Sequence, residues 1–202
     1  MKSLVQYIQE KLVIKKSTSN NYKYFPETKE ELEGIIRKRI KEEGKNVDLN
    51  DIDVSEITDM FALFSCLDFN GDISNWDVSK VENMALMFNE CESFNQDISS
   101  WDVSNVNDMR AMFHNCKSFN QDISRWDVSN VEDMTSMFNG CKSFNQDISH
   151  WNVSNVNRMS YMFVDCKNFN QDISHWDVSK VLSKVGIFGD CPIQEKYKPK
   201  FK

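Results

Sequence analysis

The chain has 202 residues, of which 40% are hydrophobic, so it can bury a sizeable core and its composition does not indicate disorder. Its formal net charge is −7, but residues 51–191 are strongly acidic whereas residues 1–50 and 192–202 each carry a small basic excess. An acidic body repels phosphate, and no stretch approaches the roughly 20 apolar residues of a membrane span, so we expect neither a nucleic-acid partner along residues 51–191 nor a transmembrane segment.

The first predicted element is a short amphipathic helix over residues 1–16, within a leader and linker of residues 1–20. Leu4, Ile8 and Leu12 fall at helical spacing on one side. Polar residues interrupt this stretch, so it does not resemble the continuous apolar core of a signal peptide, and no early cysteine could carry a lipid anchor. We therefore expect an intracellular or virion-associated protein with reduced thiols rather than a secreted one.

Residues 21–50 are predicted to form a helical cap on the array that follows. Thr28 and Glu31 form a capping box that starts a helix, and Gly44 ends it. Its buried side is predicted to consist of Leu32, Ile35, Ile36 and Ile40. Its solvent side is predicted to consist of Arg37, Lys38, Arg39 and Lys41.

A fixed period of 25 residues dominates residues 51–191. It is kept by six cysteines, Cys66, Cys91, Cys116, Cys141, Cys166 and Cys191, and by five tryptophans, Trp76, Trp101, Trp126, Trp151 and Trp176. Such a period is typical of stacked coils, because each coil places the same residue type at the same point. We expect five to six coils here, followed by a basic solubilising tail over residues 192–202.

Each coil is predicted to contain one strand and one helix. In the coil that ends at Cys116, a short strand is expected near residues 97–101, and a helix with Ser104 as its N-cap follows. Ser79 with Glu82 and Ser129 with Glu132 are interpreted as capping boxes of equivalent helices. The predicted fold is an α/β solenoid, a leucine-rich-repeat-like stack of 25-residue strand–helix coils with an N-terminal helical cap.

The repeated string at residues 94–113 and 119–138, Phe-Asn-Gln-Asp-Ile-Ser-x-Trp-Asp-Val-Ser-Asn-Val-x-x-Met-x-x-Met-Phe, resembles the BspA-like leucine-rich repeats. That family includes the repeat domain of Mycoplasma-type surface lipoproteins. The resemblance covers residues 51–191 and implies a binding role, often adhesion at a cell surface, without enzymatic activity. The chain departs from exported members in lacking a recognisable signal sequence and anchor.

The first dozen residues resemble a different group. Met-Lys-Ser-Leu-x-x-Tyr-Ile-x-Glu-x-Leu is similar to the leaders that direct internal proteins of tailed bacteriophages into the capsid. This resemblance implies an alternative function, a phage structural or capsid-packaged protein whose residues 1–16 contact a capsid or assembly protein.

The periodic polar residues are interpreted as structural. The cysteines lack the paired spacing of zinc or iron–sulfur sites and are expected to be small buried apolar residues, with Cys191 the most exposed. Asp72, Asp97, Asp122, Asp147 and Asp172, and a second column of Asp77, Asp102, Asp127, Asn152 and Asp177, are expected to accept hydrogen bonds from turn amides rather than to bind calcium. The asparagines Asn70, Asn95, Asn120, Asn145 and Asn170 are expected to form a ladder between coils.

No motif indicates catalysis. His114 is predicted to be a solvated surface residue, and His150 and His175 lack a third metal ligand. Nucleophile, phosphate-binding and zinc-protease motifs are missing. The sequence therefore predicts no catalytic residue, cofactor or metal ligand and no enzyme, with a metal-dependent sensor or enzyme kept as a second alternative.

One column that varies between coils is the candidate partner-binding site. The residue before each tryptophan changes along the chain, as Asn75, Ser100, Arg125, His150 and His175. If the predicted strands line the concave face, this column lies on the surface that repeat proteins use for binding. We predict a non-enzymatic module that presents a rigid acidic surface to a protein or glycan, while Arg110, Thr135, Ser160 and Tyr161 face outward on the predicted helices.

Overall fold

The computed structural model of the protein describes residues 22–201. These residues contain one α-helix, α1 (Lys29–Glu43), and one 3₁₀ turn (Glu195–Tyr197). No extended strand occurs within them. In place of strands there are isolated parallel bridges, Tyr24–Ile52, Asp59–Asn83, Asn83–Asp108, Asp108–Asp133, Asp133–Arg158 and Arg158–Ser183.

Helix α1 begins and ends where the sequence predicts. The Thr28 hydroxyl accepts a hydrogen bond from the Glu31 amide at 3.2 Å, and the Glu31 carboxylate accepts one from the Glu27 amide at 2.8 Å. The first of these bonds satisfies an amide that the first turn of a helix leaves unpaired, and the second joins the residue before the cap to the same turn. At the other end Gly44 adopts φ +90° and donates its amide to the Ile40 carbonyl, which confirms the predicted cap.

The inner side of α1 covers the first coil of the array. Leu32 and Ile36 are fully buried in the common core, and the Lys29 ammonium lies 4.9 Å from the centre of the Phe61 ring. Arg39 was predicted to face solvent, but it is only 9% exposed. Its guanidinium donates to the Asp51 carboxylate at 2.9 Å and also contacts Glu43, whose hydrogen bond is the main cause of the raised Arg39 pKa.

The predicted α/β solenoid of strand–helix coils is wrong. Residues 104–116, predicted to begin a helix at Ser104, form consecutive turns. Ala111 and Asn115 adopt φ of +51° and +57°, in the left-handed region, and such residues interrupt the hydrogen-bond ladder of an α-helix. The apolar residues with helical spacing are all buried, because successive turns direct them into the core: Val106, Met109, Met112, Phe113 and Cys116.

The other local predictions for the coils fail for a related reason. The expected strand at residues 97–101 is a turn in which the Asp97 carboxylate accepts the Ser99 amide at 2.9 Å. Ser79 and Ser129 are not helix N-caps, because turns rather than helices follow them. Their amides donate to the carboxylates of Asp77 and Asp127 at 3.1 and 3.0 Å. Serine and aspartate here build side-chain-closed turns, an alternative to helix or strand.

Backbone hydrogen bonds join each coil to the next along one side. The amides of Met84, Leu86 and Phe88 donate to the carbonyls of Asp108, Arg110 and Met112 at 2.8–2.9 Å, and the pattern recurs down the array. We call this side the ladder face; it comprises residues 58–66, 82–90, 107–115, 132–140, 157–165 and 182–190. The opposite side, the Trp face, comprises residues 70–80, 95–105, 120–130, 145–155 and 170–180.

Aromatic side chains stack through the interior between these two faces. The rings of Phe88 and Phe113 stack with centroids 5.7 Å apart, and Phe88 also stacks on Phe94 at 4.0 Å. The tryptophans are 3–6% exposed, and most indole N–H groups donate to a carbonyl of a preceding coil, as Trp126 does to Ile98 at 3.1 Å. Equivalent residues thus pack on one another, and each coil needs its neighbours for burial.

Candidate binding surface

The aspartate columns of the Trp face are used by the fold. The Asp97 carboxylate accepts the Ser99 amide at 2.9 Å, and the Asn152 amide oxygen accepts the Ser154 amide at 3.2 Å in the same type of turn. The predicted hydrogen bonding to turn amides is confirmed. The Ser99 amide also holds the pKa of Asp97 below its usual value, because the bond favours the ionised carboxylate.

The predicted asparagine ladder is also confirmed. The Asn95 amide donates to the Asn70 side-chain oxygen at 2.9 Å, and the Asn120 amide donates to Asn95 at the same distance. The Gln121 side chain adds a bond to the Asn95 carbonyl at 2.9 Å. These side chains replace the backbone ladder on the Trp face, so they are committed to holding the coils together.

The interior cysteines are buried, as predicted. Cys91, Cys116, Cys141 and Cys166 have no solvent exposure, and each thiol donates to a phenylalanine carbonyl of the preceding coil at 2.8–3.0 Å. Burial raises the pKa of the Cys91 thiol to about 12. These thiols therefore stay protonated and are poor nucleophiles.

Cys66 keeps the 25-residue spacing without occupying the same place. It is exposed and adopts φ +60°, and its amide bonds the next coil as the Glu90 amide does. Leu67 occupies the position of the buried cysteines, because its amide donates to Phe64 as the Cys91 amide donates to Phe88. The prediction that Cys191 is the most exposed cysteine is wrong, since Cys191 is half-buried.

The predicted partner-binding column lies on the Trp face. All five of its residues are exposed, namely Asn75, Ser100, Arg125, His150 and His175. The side chains of two of them bond the preceding coil, with Ser100 Oγ 3.1 Å from the Ser74 carbonyl and His175 Nε2 2.9 Å from the Ser149 carbonyl. The backbone ladder runs along the other face, so the premise that this column lines a strand-bearing surface is not met.

His114 is half-buried rather than solvated. Its Nδ1 lies 2.8 Å from the Asn89 side-chain oxygen and 3.8 Å from the Glu90 carboxylate. Within residues 22–201, no group of three or more histidine, cysteine, aspartate or glutamate side chains is arranged to hold a metal ion.

Variation between coils is concentrated on the ladder face. The Trp face repeats Asn-Gln-Asp-Ile-Ser-x-Trp-Asp-Val-Ser with few changes, whereas equivalent ladder-face positions differ in size and charge. One such column contains Phe61, Ala85, Arg110, Thr135, Ser160 and Val185. Sequence reasoning named part of this column but placed it on helices; aligning the coils position by position would have shown that it varies most.

The exposed apolar side chains also lie on the ladder face. In the described part of the chain, the large hydrophobic residues that are exposed are Phe61 at 36%, Tyr161 at 45%, Val185 at 62% and Leu182 at 86%. Three of them are neighbours, since the Tyr161 amide donates to the Val185 carbonyl and Leu182 lies three residues before Val185. Together with Arg158, whose side chain is 60% exposed, these three form what we call the C-terminal patch.

The outward orientation predicted for Arg110, Thr135, Ser160 and Tyr161 holds only in part. Arg110 and Tyr161 are exposed. Ser160 is 6% exposed, its hydroxyl lies 2.8 Å from the Ser183 hydroxyl, and it accepts the Val185 amide. Thr135 is half-buried.

The leader of residues 1–16 and its predicted capsid contact lie outside the described residues. Among the residues that are described, α1 is too short and too polar to cross a membrane, and no other helix qualifies. One family model, with the description "Mycoplasma protein of unknown function, DUF285", matches residues 36–135 and 121–197, which together span more than half of the chain. No curated protein and no solved structure matches the sequence.

Proposed function

We propose that the chain, which belongs to this DUF285 family, is a non-enzymatic binding protein whose ladder face docks a protein partner. The observation that carries the proposal is the distribution of exposed apolar side chains. Phe61, Tyr161, Leu182 and Val185 share the face on which the coils differ from one another. Apolar area on a monomer's surface is typical of an interaction site, particularly when tyrosine and arginine accompany it.

The C-terminal patch has the composition of an interface centre. Tyr161 and Arg158 belong to the residue types that dominate binding energy, and Leu182 and Val185 supply adjacent aliphatic area. Aliphatic side chains favour a protein partner over a glycan, which presents mainly hydroxyl groups. The resemblance to BspA-like repeats, whose members often bind at cell surfaces, supports the same class of function.

The Trp face suits this role less well. Its aspartates, asparagines and tryptophans repeat because they close turns and join coils, and the varying column from Asn75 to His175 is embedded among them. A surface whose exposed residues are nearly the same in every coil distinguishes partners poorly, because specificity depends on differences between positions.

Site-specific photo-crosslinking tests the proposal. A photoreactive residue would replace Thr135 or Val185 on the ladder face, or Arg125 or His150 on the Trp face, in the full chain expressed in its source cells. We expect one partner protein to be crosslinked from the ladder-face positions only. The triple variant Tyr161→Ala, Leu182→Ser, Val185→Ser should reduce the crosslink from Thr135 by at least about tenfold.

A matched control is Arg125→Ala with His150→Ala, which changes exposed residues of the Trp face and should leave the crosslink unchanged. Crosslinks obtained from the Trp face alone would contradict the proposal and would favour the column predicted from the sequence.

A further inference from the structure

The last coil ends in an open hydrogen-bonding edge. In earlier coils, alternate amides of the ladder face donate to the next coil, as Tyr161, Phe163 and Asp165 do. The equivalent amides of Gly186, Phe188 and Asp190, and the carbonyl of Leu182, form no backbone bond within residues 22–201. This coil therefore presents donors at every second residue, as the edge of a sheet does.

Two aliphatic side chains of this edge are exposed. Val185 is 62% exposed, at a position where the interior coils have side chains that range from buried Ala85 to exposed Arg110. Leu182 at the start of the edge is 86% exposed. An added chain would remove part of this aliphatic surface from water, which favours binding.

A basic cleft adjoins the edge. Its volume is about 410 Å³; Ile187, Phe188 and Phe201 supply apolar lining, and Lys184, Lys196, Lys198 and Lys200 surround them. Lys198 pairs with Glu195, and Lys196 and Lys200 are exposed. Residues 192–201 contain the lysines Lys196, Lys198 and Lys200 and one acidic residue, Glu195, so the segment beside the edge is basic in an otherwise acidic protein.

The other end of the array argues against a head-to-tail second copy as the occupant. A head-to-tail copy would have to bring its first coil within about 4.8 Å of the edge, the spacing of hydrogen-bonded chains. Helix α1 covers that first coil with Leu32 and Ile36 buried beneath it and Lys29 over Phe61. A helix is about 10 Å across, so it blocks this approach.

We propose that the open edge, from Leu182 to Asp190, binds an extended acidic segment of a partner protein as the next rung of the ladder. An extended chain directs every second carbonyl to the same side, which matches the spacing of the Gly186, Phe188 and Asp190 amides. Acidic side chains of the segment would lie near Lys196 and Lys200. This inference rests on the proposed function, because it assumes that the partner is a protein.

Titration of the full ¹⁵N-labelled chain with two peptides tests the inference. The probe is a ten-residue, end-blocked peptide of alternating glutamate and valine, and the comparison peptide has lysine in place of glutamate. We expect the acidic peptide to shift the amide signals of Gly186, Phe188 and Asp190 saturably, with a Kd between roughly 10 μM and 1 mM. The lysine peptide should bind at least about tenfold more weakly.

Two variants test the charge contribution. Lys196→Glu with Lys200→Glu should weaken binding of the acidic peptide at least about tenfold, whereas Lys142→Glu, in the middle of the array, should leave it unchanged. The inference is overturned if about 1 mM acidic peptide leaves the three amides unshifted. It is also overturned by equal affinity for both peptides, or by shifts that depend on protein concentration without peptide, which would indicate a second copy.

The two proposals can fail separately. Ladder-face crosslinks that persist while the peptide leaves the edge unshifted would overturn the edge inference alone. A peptide that binds the edge while no ladder-face position yields a crosslink would overturn the proposed function.

Discussion

Replacing two equivalent tryptophans with phenylalanine tests how the indole hydrogen bonds contribute to stability. Trp126 and Trp176 occupy the same position two coils apart and are 3% and 6% exposed. The Trp126 N–H donates to the Ile98 carbonyl at 3.1 Å. The Trp176 N–H is buried and has no hydrogen-bond partner in the described part of the chain.

The expected magnitude follows from this difference. Both substitutions lose similar buried volume, so their packing costs largely cancel. Trp126→Phe also removes a hydrogen bond and leaves the Ile98 carbonyl with only the Trp101 amide, at 3.2 Å. Trp176→Phe instead removes a buried donor that is already unsatisfied, and such a group costs about 1–3 kcal/mol. We therefore expect Trp126→Phe to lower the free energy of unfolding by about 1–3 kcal/mol more than Trp176→Phe does.

Urea unfolding followed by far-UV circular dichroism measures the difference without relying on the altered fluorophores. Trp126→Ala provides the upper reference, with an expected loss of about 3–5 kcal/mol. Because repeat arrays can unfold in parts, amide hydrogen exchange near each site should report the same order. Losses that agree within about 0.5 kcal/mol for the two phenylalanine variants would refute the hydrogen-bond reasoning.

Three further predictions concern the turns and thiols. Gly140→Ala should lower the free energy of unfolding by about 1–3 kcal/mol in urea, because the residue has φ +76° and an added Cβ would lie 2.1 Å from the Asn115 side-chain oxygen. Ala111→Gly, also at positive φ, should be neutral or stabilising. A loss of stability in Ala111→Gly would contradict the strain argument. A thiol reagent should modify Cys66 first in the folded protein, and rapid reaction of all six thiols would contradict the burial. The Ser99 amide lowers the Asp97 pKa, so the contribution of Asp97 to stability is present above about pH 4 and is lost as pH falls through the folded pKa. When the urea midpoint is measured against pH, Asp97→Asn should reduce the decline of the midpoint at acid pH. An unchanged decline would contradict this.

The sequence predicted the periodic core but not the conformation of the coils. Trp126 and Cys116 are buried as the period indicates, and the pair Thr28 and Glu31 starts a helix because caps are local. The helix expected after Ser104 is absent because Ala111 and Asn115 adopt left-handed conformations, which their residue types do not predict. The glycine at 140, equivalent to Asn115, was the available signal.

The candidate surface was only partly predictable. Exposure of the column from Asn75 to His175 agrees with its place beside the tryptophans. Its functional interpretation depended on which side of the coil forms the backbone ladder, and hydrophobic periodicity does not specify that side. Cys66 shows the same limit, because its sequence spacing is regular while Leu67 takes the buried place.

The direction of the ladder bonds determines how the protein responds to mechanical load. The N–H···O bonds run from coil to coil, so a force that pulls the two ends apart acts along them and loads a few bonds at a time. Each coil that detaches would release 25 residues, about 85 Å of extended chain. A protein built in this way would lengthen in nearly equal steps under load.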